Sequence, residues 1–252
     1  MAGAITAVAL DGLPEIHAGD DPAAVIAAAV PPGGAADGDV LVVAHKFISK
    51  AEGRTRPLSE VIPTRRATSL AVELGKDPRH VQVVLDETQE ILRATRGVLI
   101  SVTHHGFVCA NAGVDASNAP DDDTVVLLPL DPDDSARRLR AGLRARLGIA
   151  PAVLITDSFG RAWRNGQVDV AIGCAGLAAL DDWRGRTDAR GRQLTGTWIA
   201  VADELAAAAD LARAKDAMQP AVLISGAGRH VTAVDGPGVR GLLRDPAADL
   251  FR

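Results

Sequence analysis

Cysteine is almost absent from this chain of 252 residues, because Cys109 and Cys174 are its only thiols. Two cysteines cannot build the disulfide framework of a secreted protein or a cysteine-based metal site, so we predict two buried, reduced thiols.

Long hydrophobic runs are absent too. The apolar segment at residues 4–10 is too short for a membrane span and lacks the preceding charged region of a signal peptide. The predicted location is the cytoplasm.

The motifs of the common nucleotide-binding folds are also missing. The sequence contains no G-x-x-x-x-G-K-[ST], which excludes a P-loop, and no G-x-G-x-x-G follows a strand, which leaves a Rossmann site without support. The formal net charge of -5 gives no overall attraction to nucleic acid or to an anionic membrane. Any nucleotide must therefore be held by other means.

The composition that remains is typical of a soluble globular protein, with 47% hydrophobic and 23% charged residues. A chain of this length can bury a large core, as one domain or as two that share an interface. Apolar runs predict strands at residues 5–10, 40–44, 97–102, 124–128, 151–156, 170–177 and 221–225, and helical spacing predicts helices at 22–30, at 78–94, from 133 onwards and at 200–214. An extended turn is predicted at residues 46–54, and residues 159–169 show no regular order.

Polar side chains cluster where predicted strands end. Residues 104–118 follow one strand and combine small residues with two histidines, two amides, a hydroxyl and Asp115, while Asp157 ends another strand beside Ser158. Such carboxylates are the hard oxygen ligands that Mg²⁺ or Mn²⁺ prefers, with phosphate oxygens completing the shell. The alternative is that they are structural turn carboxylates that accept hydrogen bonds from nearby backbone N–H groups.

Three cations follow the predicted strand at residues 40–44. Lys46, Lys50 and Arg54 are spaced by four residues and can converge on an anion. The alternative is a solvated cationic edge.

Three segments of the chain resemble one enzyme family. Residues 104–118 resemble its signature, residues 46–54 resemble its "KxxSKAEGR" segment, and residues 155–169 resemble its "TDTFGRPWRxGQxD" segment. The family is the coenzyme F420:L-glutamate ligases, which add γ-linked glutamates to a deazaflavin coenzyme. The likeness keeps the same order from about residue 13 to residue 224.

The resemblance implies an α+β fold of mixed sheets with helices, organised as two interleaved subdomains. It implies that residues 1–252 form a single catalytic unit that assembles as a homodimer. Some relatives carry an additional flavin-binding reductase domain, and we expect this chain to lack it.

The resemblance also implies a set of site residues. Asp115 and Asp157 are expected to bind a first divalent ion, Mg²⁺ or Mn²⁺, and Ser158 a second one, with K⁺ as a further possible ion. The expected catalytic residues are Asp115, Asp157 and Lys50. The expected GTP contacts are Leu13, Pro14, Glu15, Ile16, His45, Lys50 and Asn118.

One segment departs from the family pattern. Relatives have a glycine-containing "GxAxGxP" loop that touches phosphate and metal, whereas residues 212–220 of this chain contain no glycine. Glycine allows backbone N–H groups to approach a phosphate closely. We therefore predict that Lys215 supplies a side-chain phosphate contact in their place, the alternative being a solvated lysine at a helix end.

The implied function is GTP-dependent addition of L-glutamate to the coenzyme F420 precursor. In this scheme GTP phosphorylates the terminal carboxylate of the lactyl-phospho-deazaflavin, and the glutamate amine then displaces phosphate from the acyl phosphate. Two alternatives stay open. One is a metal-dependent phosphohydrolase with His104 or His105 as base, and the other is a non-catalytic paralogue that binds the deazaflavin.

Overall fold

The computed structural model of the chain describes residues 3–117, 119 and 121–249. Its strands are β1 Thr6–Ala9, β2 Val40–Ala44, β3 Thr55–Pro57, β4 Thr88–Thr95, β5 Val98–Thr103, β6 Val108–Ala110, β7 Thr124–Val126, β8 Ala152–Arg161, β9 Arg164–Ala175, β10 Asp181–Asp182, β11 Trp198–Ile199 and β12 Ala221–Ser225. Its α-helices are α1 Pro22–Ala29, α2 His45–Ala51, α3 Arg65–Leu74, α4 Pro78–Asp86, α5 Pro132–Leu147 and α6 Val201–Ala212. The predicted α+β class is confirmed.

A five-stranded sheet in the order β1-β12-β2-β8-β9 forms the largest part of the fold. The pairing of β2 with β8 is parallel, and the other pairings in this sheet are antiparallel. Val40 to Val43 are all buried, as expected for a central strand that is covered on both faces. Helices α5 and α6 pack against β9, and α1 packs against α5.

A second hydrophobic cluster lies in the middle of the chain. It is built from α3, α4 and the three-stranded sheet β4-β5-β6, with a core that includes Leu58, Leu74, Val84 and Leu99. The first cluster gathers the large sheet and its helices from both ends of the chain. Two cores of this kind accord with two subdomains, although the organisation of residues 1–252 as one interleaved catalytic unit stays a prediction. No helix in the described ranges is long and apolar enough to cross a membrane.

Several predicted elements agree closely with the structure, and three do not. The predicted strands at 40–44 and 221–225 have the predicted bounds, and Asp21 caps α1 with Pro22 at its first position. The predicted turn at 46–54 is wrong, because α2 occupies most of it and buries Phe47 and Ile48. The predicted helix at 78–94 is also wrong beyond Asp86, since β4 pairs with β5 there. Residues 159–169 are not irregular, because they belong to the long β8–β9 hairpin.

Close packing at Gly173 fixes the start of α5 on the large sheet. A methyl group at Gly173 would lie 2.3 Å from the carbonyl oxygen of Pro132, which is backbone and has no rotamer to change. The neighbouring Asp133 accepts hydrogen bonds from the backbone N–H groups of Cys174 at 2.8 Å and Val239 at 3.0 Å. This carboxylate therefore ties the helix to β9 and to the C-terminal segment.

We expect Gly173→Ala to destabilise the protein by about 1–3 kcal/mol, because the helix must move away from the strand to admit one methyl group. Urea unfolding followed by circular dichroism measures the change. The control is Gly160→Ala in the same hairpin, where a methyl group would meet nothing within 4 Å. Equal unfolding midpoints for the two variants would show that the contact at Pro132 is not a tight one.

Candidate active site

The first part of the site forms where β2 ends beside its parallel neighbour β8. Ala44 at the end of β2 pairs with Thr156 of β8, so His45, the first residue of α2, follows at the position beside Asp157 of β8. His45 Nε2 lies 3.4 Å from Asp157 Oδ1, and the backbone N–H of Ser158 donates to the same carboxylate oxygen at 2.8 Å. His45 is only 2% exposed, and its Nε2 is a buried atom without a hydrogen-bond partner in the described structure.

The second part of the site is the turn that carries Asp115. This residue follows a 3₁₀ turn, Asn111–Gly113, and forms an isolated bridge with Val126. Lys46 Nζ lies 2.6 Å from Asp115 Oδ2 and 2.6 Å from the Ser117 hydroxyl. The backbone N–H and hydroxyl of Ser117 both donate to Asp115 at 2.7 Å. The consecutive residues His45 and Lys46 therefore reach Asp157 and Asp115 respectively.

The electrostatic environment keeps Asp115 ionised. Burial raises the pKa of this carboxyl, but the hydrogen bonds from Lys46 and Ser117 lower it more, so the net shift is downward.

The pKa of the Cys109 thiol on β6 is shifted upward instead. Burial, and secondarily the negative charge of Asp157, raises the pKa of Cys109 to about 12. Cys109 is therefore a neutral thiol at physiological pH, and, as predicted, both cysteines are buried and unpaired.

The third part of the site is a buried carboxylate on β9 that sequence reasoning did not select. Asp169 is 1% exposed and pairs directly opposite Ser158 in the hairpin. It accepts hydrogen bonds from the hydroxyls of Ser158 at 2.6 Å and Thr156 at 2.9 Å, and it forms an ion pair with Arg213. The available signal was the two hydroxyls at alternate positions of one strand, which must project from the same face.

Strand alternation also separates Asp157 from Ser158. Successive side chains of a strand point to opposite faces, and the contacts of β8 follow this rule. Asp157 faces His45, whereas Ser158 faces Asp169. The two residues predicted to bind different metal ions thus have different neighbours, although they are adjacent in sequence.

Lys215 lies on the Ser158 side of the strand. Its Nζ is 2.9 Å from the Ser158 hydroxyl and 3.1 Å from Asp210, and its side chain is 72% exposed. The glycine-free segment therefore brings an exposed cation to the site and a second one, Arg213, into the interior. The phosphate contact predicted for Lys215 stays a prediction.

The remaining predicted nucleotide contacts within the described residues are Lys50 and residues 13–16. Lys50, near the end of α2, makes an ion pair with Glu15. Pro14 and Glu15 are exposed, whereas Leu13 and Ile16 are buried in the core and can offer a ligand only their backbone. Asn118 lies outside the described residues.

The two histidines proposed as a hydrolytic base are engaged elsewhere. His104 Nε2 lies 3.0 Å from the carbonyl oxygen of Asp86, and His105 Nε2 lies 2.9 Å from that of Pro129. A carbonyl only accepts hydrogen bonds, so each Nε2 carries the proton. These contacts give neither ring a direct connection to Asp115 or Asp157.

The chemistry of the predicted donors suits divalent ions that share their shells with phosphate oxygens. Asp115, Asp157 and Ser158 offer carboxylate and hydroxyl oxygens, which are ligands for Mg²⁺ or Mn²⁺. No group of three or more His, Cys, Asp or Glu side chains suited to a metal ion occurs among residues 3–117, 119 and 121–249. A site of this kind suits an ion that arrives with the phosphate oxygens of a nucleotide, since Mg²⁺ is commonly bound by one or two carboxylates and substrate phosphates.

Comparison with known proteins places the chain among ligases. The family model described as F420-0:Gamma-glutamyl ligase matches residues 12–226. A protein of Methanothermobacter thermautotrophicus named coenzyme F420:L-glutamate ligase is 44% identical over 251 residues, covering 98% of this chain and 99% of the relative. Proteins of the same name from Methanopyrus kandleri and Haloarcula marismortui are 44% and 41% identical, covering 94% and 97% of this chain and 94% of each relative. The family match spans every part of the site just described, and the chain therefore belongs to the F420-0:gamma-glutamyl ligase family.

Proposed function

We propose that this protein is a GTP-dependent ligase that adds L-glutamate to the coenzyme F420 precursor through a γ-linked amide bond. The observation that carries the proposal is that the first two residues of α2, His45 and Lys46, contact two carboxylates from distant segments of the chain, Asp157 and Asp115. Lys46 meets Asp115, His45 meets Asp157, and Lys215 meets the next residue, Ser158. Lysines can bind phosphate oxygens directly, and carboxylates can bind them through a divalent ion.

Amide formation from a carboxylate requires activation, because oxide is a poor leaving group. We propose that the γ-phosphoryl group of GTP is transferred to the terminal carboxylate of the precursor, which gives an acyl phosphate and GDP. The glutamate amine then attacks the acyl carbon and phosphate leaves. Lysine ammonium groups stabilise the charge of a phosphoryl group during transfer, and the contacts of Lys46 with Asp115 and of Lys215 with Ser158 support this role for both lysines.

The protein residues around the phosphate have distinct tasks in this scheme. Asp115, Asp157 and Ser158 would hold the divalent ion or ions. The positive charge of such an ion offsets the negative charge of the phosphate oxygens. Asp169 accepts the Ser158 proton in a hydrogen bond, which leaves the lone pairs of that hydroxyl directed elsewhere. Lys50 and the exposed Pro14–Glu15 turn would contact GTP.

Incubation with GTP, Mg²⁺, L-glutamate and F420-0, followed by mass spectrometry, tests the proposal. The expected result is a mass gain of one glutamyl unit together with the release of GDP and phosphate. Loss of GTP without that gain would identify a phosphohydrolase. Binding of the deazaflavin with no turnover would identify a non-catalytic paralogue, and either outcome would contradict the ligase.

Asp115→Asn and Asp157→Asn should each lower the rate of glutamate addition by about a hundredfold or more, because an amide keeps the size but loses the charge that attracts a cation. Both variants should keep a cooperative thermal transition. The matched control is Asp122→Asn, at an exposed position. Metal-dependent activity near that of the wild type in both variants would make these structural turn carboxylates.

Lys46→Met should have opposite effects on metal binding and on turnover. Lys46 Nζ lies 2.6 Å from Asp115 Oδ2, so a cation that binds this oxygen must compete with it, and the removal of Lys46 should tighten Mn²⁺ binding to the nucleotide-free protein by about tenfold. Turnover should fall, because a cation near the phosphate is lost. Electron paramagnetic resonance of free Mn²⁺ measures the affinity. The control is Arg144→Met on an exposed face of α5, and unchanged Mn²⁺ affinity in Lys46→Met would show that the ion does not compete for this oxygen.

Lys215→Met should weaken GTP binding and flatten its dependence on salt concentration. Each charge contact with a phosphate is screened by salt, so losing one reduces the slope of log Kd against log salt. Isothermal titration calorimetry at several KCl concentrations measures both quantities. Arg144→Met again controls for the loss of one surface charge. An affinity and slope equal to those of the wild type would remove Lys215 from the nucleotide site.

A further inference from the structure

One ring nitrogen at the candidate active site is left without a partner from the protein. His45 is 2% exposed, and its Nε2 is one of the buried side-chain atoms that have no hydrogen-bond partner within the described structure. An unsatisfied polar atom in the interior costs free energy, because it has lost its hydration without replacement. The imidazole faces Asp157, so a group that binds at this carboxylate can supply the missing partner.

The orientation of the His45 ring is set from its other nitrogen. Nδ1 lies 3.3 Å from the hydroxyl of Ser49, one turn further along α2, and Ser49 is completely buried. If Nδ1 donates its proton to this hydroxyl, Nε2 has a free lone pair. In the other tautomer Nε2 carries the proton, and that buried N–H is unsatisfied. Histidines that bind metal ions usually donate the second ring N–H to a neighbouring acceptor, as Nδ1 can here.

The spacing of His45 Nε2 and Asp157 Oδ1 suits two ligands of one cation. The 3.4 Å between them is longer than the usual length of a hydrogen bond from N–H to oxygen, about 2.7–3.2 Å. Two ligand atoms that each lie about 2.1 Å from a divalent ion, at octahedral or tetrahedral angles, are about 3.0–3.4 Å apart. A cation between the two groups would satisfy both the lone pair and the carboxylate.

The charges around the two site carboxylates differ in a way that favours a cation at Asp157. Asp115 forms an ion pair with Lys46, whereas Asp157 forms none with a lysine or arginine among the described residues. The ring of His45 stands beside Asp157 instead, and an imidazole can offer a lone pair, which a lysine cannot. The Asp157 side chain is 15% exposed, so a cation can reach this carboxylate from solvent.

We propose that His45 binds, through Nε2, the divalent ion that the proposed function assigns to Asp157, and that Ser49 holds the ring in the metal-binding orientation. This inference rests on the proposed function, because it adds a nitrogen ligand to a cation of that site. It gives His45 a different task from the GTP contact that the family resemblance implies. Mn²⁺ accepts nitrogen ligands more readily than Mg²⁺ does, so the site should prefer Mn²⁺.

Pulsed electron paramagnetic resonance of Mn²⁺ added to the full-length protein, alone and then with GDP, tests this assignment. Electron spin-echo envelope modulation detects the nuclear spin of a nitrogen that is bound directly to the ion. The expected spectrum shows ¹⁴N modulation that changes to a ¹⁵N pattern when the protein contains ¹⁵N-labelled histidine. Labelling alters no side chain, so this result does not depend on the folding of a variant.

Two variants then identify the histidine. His45→Gln should remove the modulation and weaken Mn²⁺ binding by about tenfold or more, with a smaller effect on Mg²⁺ binding. Ser49→Ala should keep the modulation and weaken Mn²⁺ binding by about tenfold, because the ring is less well oriented. The matched control is His17→Gln, at an exposed histidine paired with Asp20, and it should behave as the wild type does. Circular dichroism verifies that each variant is folded.

The outcomes separate this proposal from the proposed function. Absence of histidine-derived modulation in the wild type, both with Mn²⁺ alone and with GDP, overturns the assignment even when the protein makes glutamylated product. Modulation that persists in folded His45→Gln protein comes from another histidine and also overturns it. If the modulation depends on His45 while the wild type forms no product, the metal ligand is confirmed and the ligase reaction fails.

Discussion

The parallel pairing of β2 with β8 determines where the chemistry of this protein can occur. Parallel strands end at the same edge of a sheet, so the residues that follow β2 must lie beside the last part of β8. The chain turns directly into α2 at this edge, and the first two residues of the helix therefore meet two carboxylates from distant segments. Asp157 comes from β8 itself, and Asp115 comes from the second hydrophobic cluster. The site lies where these two parts of the fold meet.

Charge balance in the interior depends on the β8–β9 hairpin. Asp169 is almost completely buried, and an unpaired carboxylate in such a place would cost several kcal/mol in lost hydration. Arg213 and the hydroxyls of Thr156 and Ser158 offset that cost. Arg213 stands in the glycine-free segment at residues 212–220. The same segment thus supplies an internal cation for Asp169 and an exposed one, Lys215, beside Ser158.

Local sequence predicted most elements because their signals are independent of the rest of the fold. The β-branched run at residues 40–44 and the Asp-Pro start of α1 are such signals. The failures occurred where tertiary contacts outweigh propensity. Residues 88–95 have helical spacing but form an edge strand, because β5 provides hydrogen-bond partners for their backbone. Ile48 is β-branched but lies in α2, because the helix buries its side chain in the core. Asp169 was missed as part of the site because its importance arises from a cross-strand partner.

The sequence by itself determined the family, through three long motifs in order, and it determined that Asp115, Asp157, Lys50 and Lys215 deserve consideration as site residues. Motifs record which side chains are present near strand ends, and this information is local. Only the tertiary structure decided which of them meet. It placed Lys46 on Asp115, Lys50 on Glu15 and Lys215 on Ser158, and it directed Asp157 and Ser158 to opposite faces of one strand. These contacts depend on how β2, β8 and β9 pair, which no local stretch of sequence specifies.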